Sequence, residues 1–201
     1  MGPSEQLRFW AHELAAMATT GFEFATNDYD RDRFRRVRAI AEGIAALTID
    51  AEFSPERPYL PDVGIASPKT GCTVAAFDDT GKVVLIKRAD NGRWALPGGY
   101  AEVGSTPATN ALREFHEETG LEAAIERLIG VYDNREFASV SPYQFYTCLF
   151  RARIAGGDPR PSPETTDVRL FDPSDAPIDM SIMQRAMLGD AVANPALAVF
   201  Q

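Results

Sequence analysis

The segment from residue 98 to residue 121 constrains the fold most, because its composition delimits a single helix at both ends. Thr106 belongs to the residue types that cap helix N-termini, Pro107 suits the first helical position, and Gly120 suits a left-handed C-terminal residue. The helix is therefore predicted between Pro107 and Gly120. Its apolar side, which should pack on a core, consists of Ala108, Ala111, Leu112 and Phe115.

A second side of the same helix carries three carboxylates, Glu114, Glu117 and Glu118, spaced three and four residues apart. Like charges at this spacing destabilise an isolated helix by about 0.2 to 0.5 kcal/mol per pair, so a cation is expected nearby. Clustered oxygen ligands suit Mg²⁺ or Mn²⁺ rather than zinc. Such an ion can bind diphosphate oxygens and lower the pKa of a bound water. The alternative is a solvated acidic helix face, the usual meaning of such a charge run.

The sequence pattern of residues 1–53 predicts a small helical hairpin. Its first helix, over residues 5–18, has an apolar stripe at spacings of three and four, and Gly21 is expected to end it. A turn and cap at residues 27–30 lead into the second helix. The two stripes consist of Leu7, Trp10, Leu14 and Met17, and of Phe34, Val37, Ile40, Ala41, Ile44 and Leu47. Two helices of this size cannot bury both stripes by themselves. The hairpin should therefore pack on the next domain or on a second subunit.

A linker is predicted over residues 54–70, because its four prolines discourage helix interiors and central strands. The domain that follows, residues 71–201, begins with a hairpin signal in which residues 78–81 separate two strand-like stretches. The helix and further strands come next, so the predicted class is α/β, a mixed sheet with helices packed on it. The further strands are expected near residues 125–132, 143–154 and 167–171.

Charge and composition exclude several classes of protein. The net charge of −9 is opposite to the basic surface of a general nucleic-acid binder, and no apolar stretch approaches the roughly 20 residues that cross a bilayer. The N-terminus lacks the pattern of a secretory signal, so a cytoplasmic protein is expected. Cys72 and Cys148 have no His or Cys at ligand spacing, which favours free thiols.

Residues 99–121 resemble the signature of the Nudix hydrolases, G-x5-E-x7-R-E-Φ-x-E-E-x-G-Φ, in which Φ is apolar. Eight of its nine defined positions are present: Gly99, Arg113, Glu114, Phe115, Glu117, Glu118, Gly120 and Leu121. The departure is Ser105, which stands where the signature has its first glutamate. That glutamate usually supports the helix and the metal shell rather than supplying the main ligands. Glu102 is the candidate substitute carboxylate.

The resemblance implies a Nudix α/β/α sandwich and assigns roles to individual residues. Glu114 and Glu118 would bind Mg²⁺ or Mn²⁺ together with the Gly98 carbonyl, and Glu117 would be a further ligand or polarise the attacking water. Arg113 would orient the carboxylates through bidentate hydrogen bonds. In some Nudix enzymes the general base comes from a later loop. The candidates here are Glu164 and then Asp167, and a solvated loop acid is the alternative for each.

The resemblance extends to a bacterial Nudix subgroup with an N-terminal helical extension, which includes CDP-choline pyrophosphatases and enzymes that act on ADP-ribose. It is carried by Trp10, by Tyr29 and Asp30, and by the stretch YDNREFASVSP. Members of this subgroup are dimers, so a homodimer is implied. Candidates for phosphate or ribose contacts are Arg88, Arg93 and Arg135, and candidates for stacking on a base are Tyr100, Phe137, Trp94 and Tyr143. For Trp94 a place in the core is favoured.

Three functions follow. The first is metal-dependent hydrolysis of a nucleoside diphosphate derivative to a nucleoside monophosphate and a phosphorylated moiety, with CDP-choline ahead of ADP-ribose. The second is a pool-sanitising enzyme that releases pyrophosphate from an oxidised nucleoside triphosphate. The third is a non-catalytic nucleotide sensor, against which the intact carboxylate cluster argues.

Overall fold

The computed structural model describes residues 3–47, 67–102, 105–139, 141 and 144–200. The chain divides into two compact units, one of residues 1–69 and 138–144 and the other of residues 70–137 and 145–201. Residues 54–66 of the predicted linker lie outside the described residues. The first strand begins at Lys69, two residues before the predicted start of the second domain at residue 71.

The first unit contains the predicted helical hairpin. Its helices are α1 (Pro3–Phe24) and α2 (Asp28–Ala46), and they pack on each other. Asn27 is the N-cap of α2, because its side-chain oxygen accepts a hydrogen bond of 2.9 Å from the Asp30 N–H. The cap satisfies one of the backbone donors that the first turn leaves unpaired, as the sequence predicted.

One detail of the hairpin prediction is wrong. Gly21 does not end α1, which continues to Phe24. A Cβ atom at Gly21 would lie 2.3 Å from the ring of Phe34, so the glycine makes room for that ring instead. Within one chain the large apolar stripe of α1 stays open, since Trp10 and Met17 are 53% and 66% exposed. Small side chains let the helices approach closely, and the buried positions of α1 are Ala11, Ala15 and Ala18.

The second unit is built on a mixed sheet that has eight strands within the described residues. They are β1 (Lys69–Phe77), β2 (Val83–Arg88), β3 (Trp94–Ala95), β4 (Gly98–Tyr100), β5 (Leu121–Asp133), β6 (Phe145–Gly157), β7 (Thr165–Phe171) and β8 (Val199–Phe200). The order is β3-β2-β1-β6-β5-β8, with β4 on β1 and β7 on β2. β8 runs parallel to β5, whereas β1 and β2 form the predicted antiparallel hairpin.

A helix covers each face of this sheet. Successive side chains of a strand point to opposite faces, so one strand contributes to the cores on both sides. On β1, Ala75 and Phe77 join the core beneath α4 (Ile182–Ala193), which also contains Met183 and Met187. Their neighbours Cys72, Val74 and Ala76 join the core beneath α3 (Pro107–Thr119), which also contains Ala111 and Phe115. The predicted α/β/α sandwich with a mixed sheet is confirmed.

Both cysteines are free thiols, as predicted; Cys72 is buried and Cys148 is partly buried. In the part of the chain that the structure describes, the helices are too short or too polar to span a membrane.

Candidate active site

The acidic helix α3 begins and ends where the sequence predicted. The Thr106 hydroxyl accepts a hydrogen bond of 3.1 Å from the Thr109 N–H, which caps the first turn. At the other end Gly120 has a φ of 72° and donates its N–H to the His116 carbonyl at 2.8 Å. With both ends defined and Phe115 buried in the core, the rotation of the helix is set. That rotation directs its carboxylate side toward β4.

Glu118 is buried although it carries a carboxylate, with only 4% of the residue exposed. Its Oε2 accepts a hydrogen bond of 2.8 Å from the Gly98 N–H. Burial raises the pKa of Glu118 to about 7, and the charges of Glu114 and Glu164 act in the same direction. Arg88 and the Gly98 hydrogen bond only partly offset this. A buried, mutually repelling set of carboxylates favours a bound cation.

Two glycines allow β4 to approach the acidic helix and β1. Gly98 has a φ of +155°, and a Cβ atom there would lie 2.3 Å from the Cys72 carbonyl oxygen. A Cβ atom on Gly99 would lie 2.8 Å from Oε2 of Glu114. The Glu114 carboxylate therefore lies directly against the Gly99 backbone, where no other residue type leaves room for it.

Replacing Gly99 by alanine should therefore displace the Glu114 carboxylate. The obstructed atom is the end of a flexible side chain, so the free energy of unfolding should change by less than about 1 kcal/mol. Affinity for Mn²⁺, measured by calorimetric titration, should fall about 10- to 100-fold, the usual effect of disturbing the support of a metal ligand. Gly189→Ala is the control, because nothing lies within 4 Å of a Cβ there. Equal affinity in both variants would contradict this role of Gly99.

Arg113 connects the carboxylates of α3. Its Nη1 donates to Glu117 Oε2 at 2.7 Å, and its Nη2 donates to Glu114 Oε1 at 2.7 Å. Nη2 also lies 3.3 Å from Oε1 of Glu102. The Glu114 side chain is 15% exposed and the Glu117 side chain 55% exposed. Glu117 is thus directed toward Arg113 and solvent, whereas Glu114 and Glu118 lie at the β4 backbone.

The described residues do not contain three Asp, Glu, His or Cys side chains gathered closely enough to enclose a metal ion. Glu114 and Glu118 nevertheless fit a hard divalent cation. They provide carboxylate oxygens beside the Gly98–Gly99 backbone, and burial raises the pKa of both, which a positive charge would reverse. Glu117, predicted as a further ligand or as the group that polarises water, is hydrogen-bonded to Arg113 instead.

The two candidate general bases differ in their surroundings. Glu164 is exposed, and its carbonyl accepts a hydrogen bond of 2.9 Å from the Ala89 N–H, which holds it beside the end of β2. Its charge raises the pKa of Glu114 and of Glu118, so its carboxylate is within electrostatic reach of the acidic helix. Asp167 instead forms an ion pair of 2.5 Å with Arg169. This geometry favours Glu164.

Two of the predicted substrate contacts lie near the acidic helix: the charge of Arg88 acts on Glu118, and Tyr100 ends β4, the strand that contains Gly98 and Gly99. Arg88 is paired with Asp90 at 2.8 Å. Burial raises the pKa of Glu118 and of Tyr100, and the charge of Arg88 partly offsets both shifts. Tyr100 is 56% exposed, and its ring meets that of Phe145 edge to face at a centroid distance of 6.3 Å. Both side chains are thus available at the edge of β4 and β2.

The other candidates have different surroundings. Arg93 is exposed just before β3, and Arg135 is ion-paired with Asp133 at 3.0 Å. Phe137 packs against the α4-side core, with its ring 6.2 Å from that of Tyr132, so stacking on a base would require it to leave that packing. Trp94 is a core residue, as favoured. Tyr143 lies outside the residues that the structure describes.

Sequence reasoning missed Asn110, which is completely buried beside the acidic cluster. Its amide makes hydrogen bonds to both backbone groups of Glu102. The available signal was its spacing, because it lies four residues before Glu114 and therefore on the carboxylate side of α3. His116 is exposed, and its Nδ1 lies 3.1 Å from the Leu121 carbonyl, so it belongs to the end of the helix.

Comparison with known proteins gives two family matches. A NUDIX domain matches residues 68–189. A domain described as UDP-X-like, N-terminal oligomerisation domain matches residues 5–54. The sandwich and its acidic helix over β4 define the Nudix class of enzyme. Because the domain match covers more than half of the chain, this protein belongs to the Nudix hydrolase family.

Several individual proteins are similar to this chain. YjhB of Bacillus subtilis, provisionally named an ADP-ribose pyrophosphatase, is 26% identical over 192 residues, 92% of this chain and 91% of that protein. An ADP-ribose pyrophosphatase of Methanocaldococcus jannaschii is 32% identical over 99 residues, 48% of this chain and 57% of that protein. A UDP-X diphosphatase structure shares the fold with a TM-score of 0.58 and 24% identity, covering 98% of each chain. A NUDIX hydrolase structure from Nitrosomonas europaea has a TM-score of 0.59 and 27% identity, covering 72% and 82%.

Proposed function

We propose that this protein is a divalent-metal-dependent diphosphatase that hydrolyses the diphosphate linkage of a nucleoside diphosphate derivative. The products would be a nucleoside monophosphate and a phosphorylated moiety. The observation that carries the proposal is the buried carboxylate of Glu118, hydrogen-bonded to the Gly98 N–H beside the Glu114 carboxylate. Burying charge of one sign is costly without a cation, and such carboxylates suit Mg²⁺ or Mn²⁺.

The residues of the site would divide the work. Glu114, Glu118 and the Gly98 carbonyl would hold the ion, with Glu117 as a further ligand or as the group that polarises water. Bound there, Mg²⁺ or Mn²⁺ would withdraw charge from the diphosphate and lower the pKa of a bound water. Glu164 would accept the proton of the attacking water as its oxygen bonds to phosphorus and the bond to the bridging oxygen breaks.

Substrate recognition would come from the same edge of the sheet. Arg88 carries a guanidinium suited to phosphate oxygens, and the exposed ring of Tyr100 could stack on a base. ADP-ribose and UDP-linked compounds are the first candidates from the names of the similar proteins. CDP-choline, which the subgroup resemblance placed first, stays a prediction. Measured turnover of each compound decides whether CDP-choline ranks ahead of ADP-ribose and the UDP-linked compounds.

The assembly proposed is a homodimer formed through the N-terminal helices. The match to an oligomerisation domain over residues 5–54 supports it. The helical unit also presents an open, mainly apolar cleft that a partner would cover. It is lined by Leu7, Trp10, Leu14, Met17, Ile44 and one charged residue, Glu13. The cytoplasmic location remains a prediction.

The proposal is tested by a turnover screen with Mg²⁺ or Mn²⁺ over ADP-ribose, CDP-choline, UDP-sugars, NADH and oxidised dGTP, with products identified by mass spectrometry. One diphosphate compound should yield a nucleoside monophosphate without inorganic pyrophosphate. Glu164→Gln should lower kcat about 10²-fold with little change in KM, as expected for loss of a general base.

The exposed Glu122→Gln on β5 is the matched control and should turn over like the wild type. Release of pyrophosphate from oxidised dGTP would favour the pool-sanitising function instead. The non-catalytic sensor becomes the better description if the wild type binds a nucleotide but cleaves none of the compounds, and Glu164→Gln binds that nucleotide with the same affinity.

A further inference from the structure

We infer that Glu102, held in place by Asn110, supplies the carboxylate that Ser105 lacks and positions Arg113 against the metal-binding carboxylates. The inference rests on the proposed function, because it concerns how the same site is supported. Ser105 stands where the Nudix signature has a glutamate, and a serine side chain cannot form an ion pair. The structure brings another carboxylate, three residues earlier, to Arg113.

Arg113 depends on its Nη groups for its position. Nη1 is bound to Glu117, and Nη2 is shared between Glu114 and Glu102. Nε is buried and makes no hydrogen bond to the described part of the chain. With Nε unpaired, the direction of the guanidinium is set only by the carboxylates at its far end. Glu102 is the one of these that does not belong to α3, so it fixes the guanidinium from outside the helix.

Asn110 determines where Glu102 lies. Its Oδ1 accepts the Glu102 N–H at 3.0 Å, and its Nδ2 donates to the Glu102 carbonyl at 3.4 Å and to the Thr106 carbonyl at 3.2 Å. A fully buried amide is stable only when its polar groups are paired, and here both the donor and the acceptor are used. The same amide therefore ties the backbone of residue 102 to the first turn of α3.

The exposure of Glu102 separates positioning from stability. Its side chain is 65% exposed, and an exposed ion pair contributes little to the free energy of folding. Its removal should therefore leave the fold intact and act on Arg113, and through Arg113 on Glu114 and Glu117. This separation makes the role of Glu102 measurable in a folded protein.

The test compares Glu102→Gln, Ser105→Glu, the double variant, Asn110→Ala and the control Glu122→Gln in the full chain. In Glu102→Gln, the Kd for Mn²⁺ from EPR titration should rise about 10-fold, the lower end for loss of a group that supports metal ligands. The kcat should fall by a similar factor, with KM and the urea midpoint unchanged. Adding Ser105→Glu to Glu102→Gln should restore both values, because it returns the carboxylate to the signature position.

Asn110→Ala should reproduce the loss seen in Glu102→Gln, and combining the two should add little, since both act through one contact. A readout that needs neither metal nor substrate is the exchange of the Arg113 Nε proton with water, followed by ¹⁵N NMR. It should accelerate in Glu102→Gln, return to the wild-type rate with Ser105→Glu, and stay unchanged in Glu122→Gln.

The inference is overturned if Glu102→Gln matches Glu122→Gln in both the Kd for Mn²⁺ and the Arg113 exchange rate. It is also overturned if Ser105→Glu fails to restore the loss, since Glu102 would then not replace the signature glutamate. Failure of the proposed function looks different, because the wild type would then cleave no diphosphate compound. The Arg113 exchange rates would decide the positioning role of Glu102 in that case as well.

Discussion

Replacing Glu118 by glutamine is expected to lower kcat about 10³-fold or more with Mg²⁺. Stabilisation of transition-state charge by a metal ion is worth several kcal/mol, and about 1.4 kcal/mol corresponds to a factor of ten in rate. Glutamine has nearly the same shape, and its side-chain oxygen can still accept the Gly98 N–H. The variant should therefore lose the charge that holds the ion without losing the local fold.

The measurement is kcat on the substrate identified by the screen, together with calorimetric titration of Mn²⁺. Glu122→Gln again serves as the control, because it removes an exposed carboxylate of the same unit. A Glu118→Gln enzyme that retains kcat within about tenfold of the wild type would show that Glu118 does not hold the ion.

The second large effect concerns the stability of the metal-free protein. The pKa of Glu118 rises from its ordinary value of 4.5 to about 7 on folding, mainly through burial. Between these two values the folded state binds more protons than the unfolded state. The resulting stabilisation is fully present below pH 4.5 and is lost as the pH rises through 7. Glu118 should thus lower the free energy of unfolding by about 3 kcal/mol between pH 4.5 and pH 8.

Urea unfolding in the presence of a chelator, at several pH values from 4.5 to 8, measures this effect. The difference between wild type and Glu118→Gln isolates it from the other titrating groups, because the variant lacks the ionisable side chain. Saturating Mn²⁺ should remove the loss in the wild type, since the ion binds the carboxylate form of the folded state. Parallel curves for the two proteins would assign the pH dependence to another group.

Much of the fold could be predicted from the sequence because its signals are local. The caps of α3 at Thr106 and Gly120 and the cap of α2 at Asn27 act within one helical turn, so short stretches of sequence contain them. The turn between β1 and β2 is similar, because Asp78 accepts hydrogen bonds from Thr80 and Lys82. The spacing of the carboxylates on α3 follows from helix geometry alone.

Predictions failed where the answer depended on what lies across from a residue. Glycine is a residue type typical of helix ends, but Gly21 instead leaves room for the ring of Phe34 on the other helix. The stripe that includes Trp10 and Met17 has the right period for a buried face, and within one chain it stays open while the alanines of α1 are buried. Period alone shows that a face is apolar; it does not show which neighbouring surface covers it.

The sequence by itself determined the class of fold, the ends of the acidic helix and the set of carboxylates, because each depends on neighbours along the chain. Only the tertiary structure decided which of those carboxylates is buried. Glu118 and Glu117 are adjacent in sequence, yet one is bound to the β4 backbone and the other faces Arg113. Asn110 and Glu102 also acquired their roles through folding, since a loop and a helix must meet before an amide can hold a backbone.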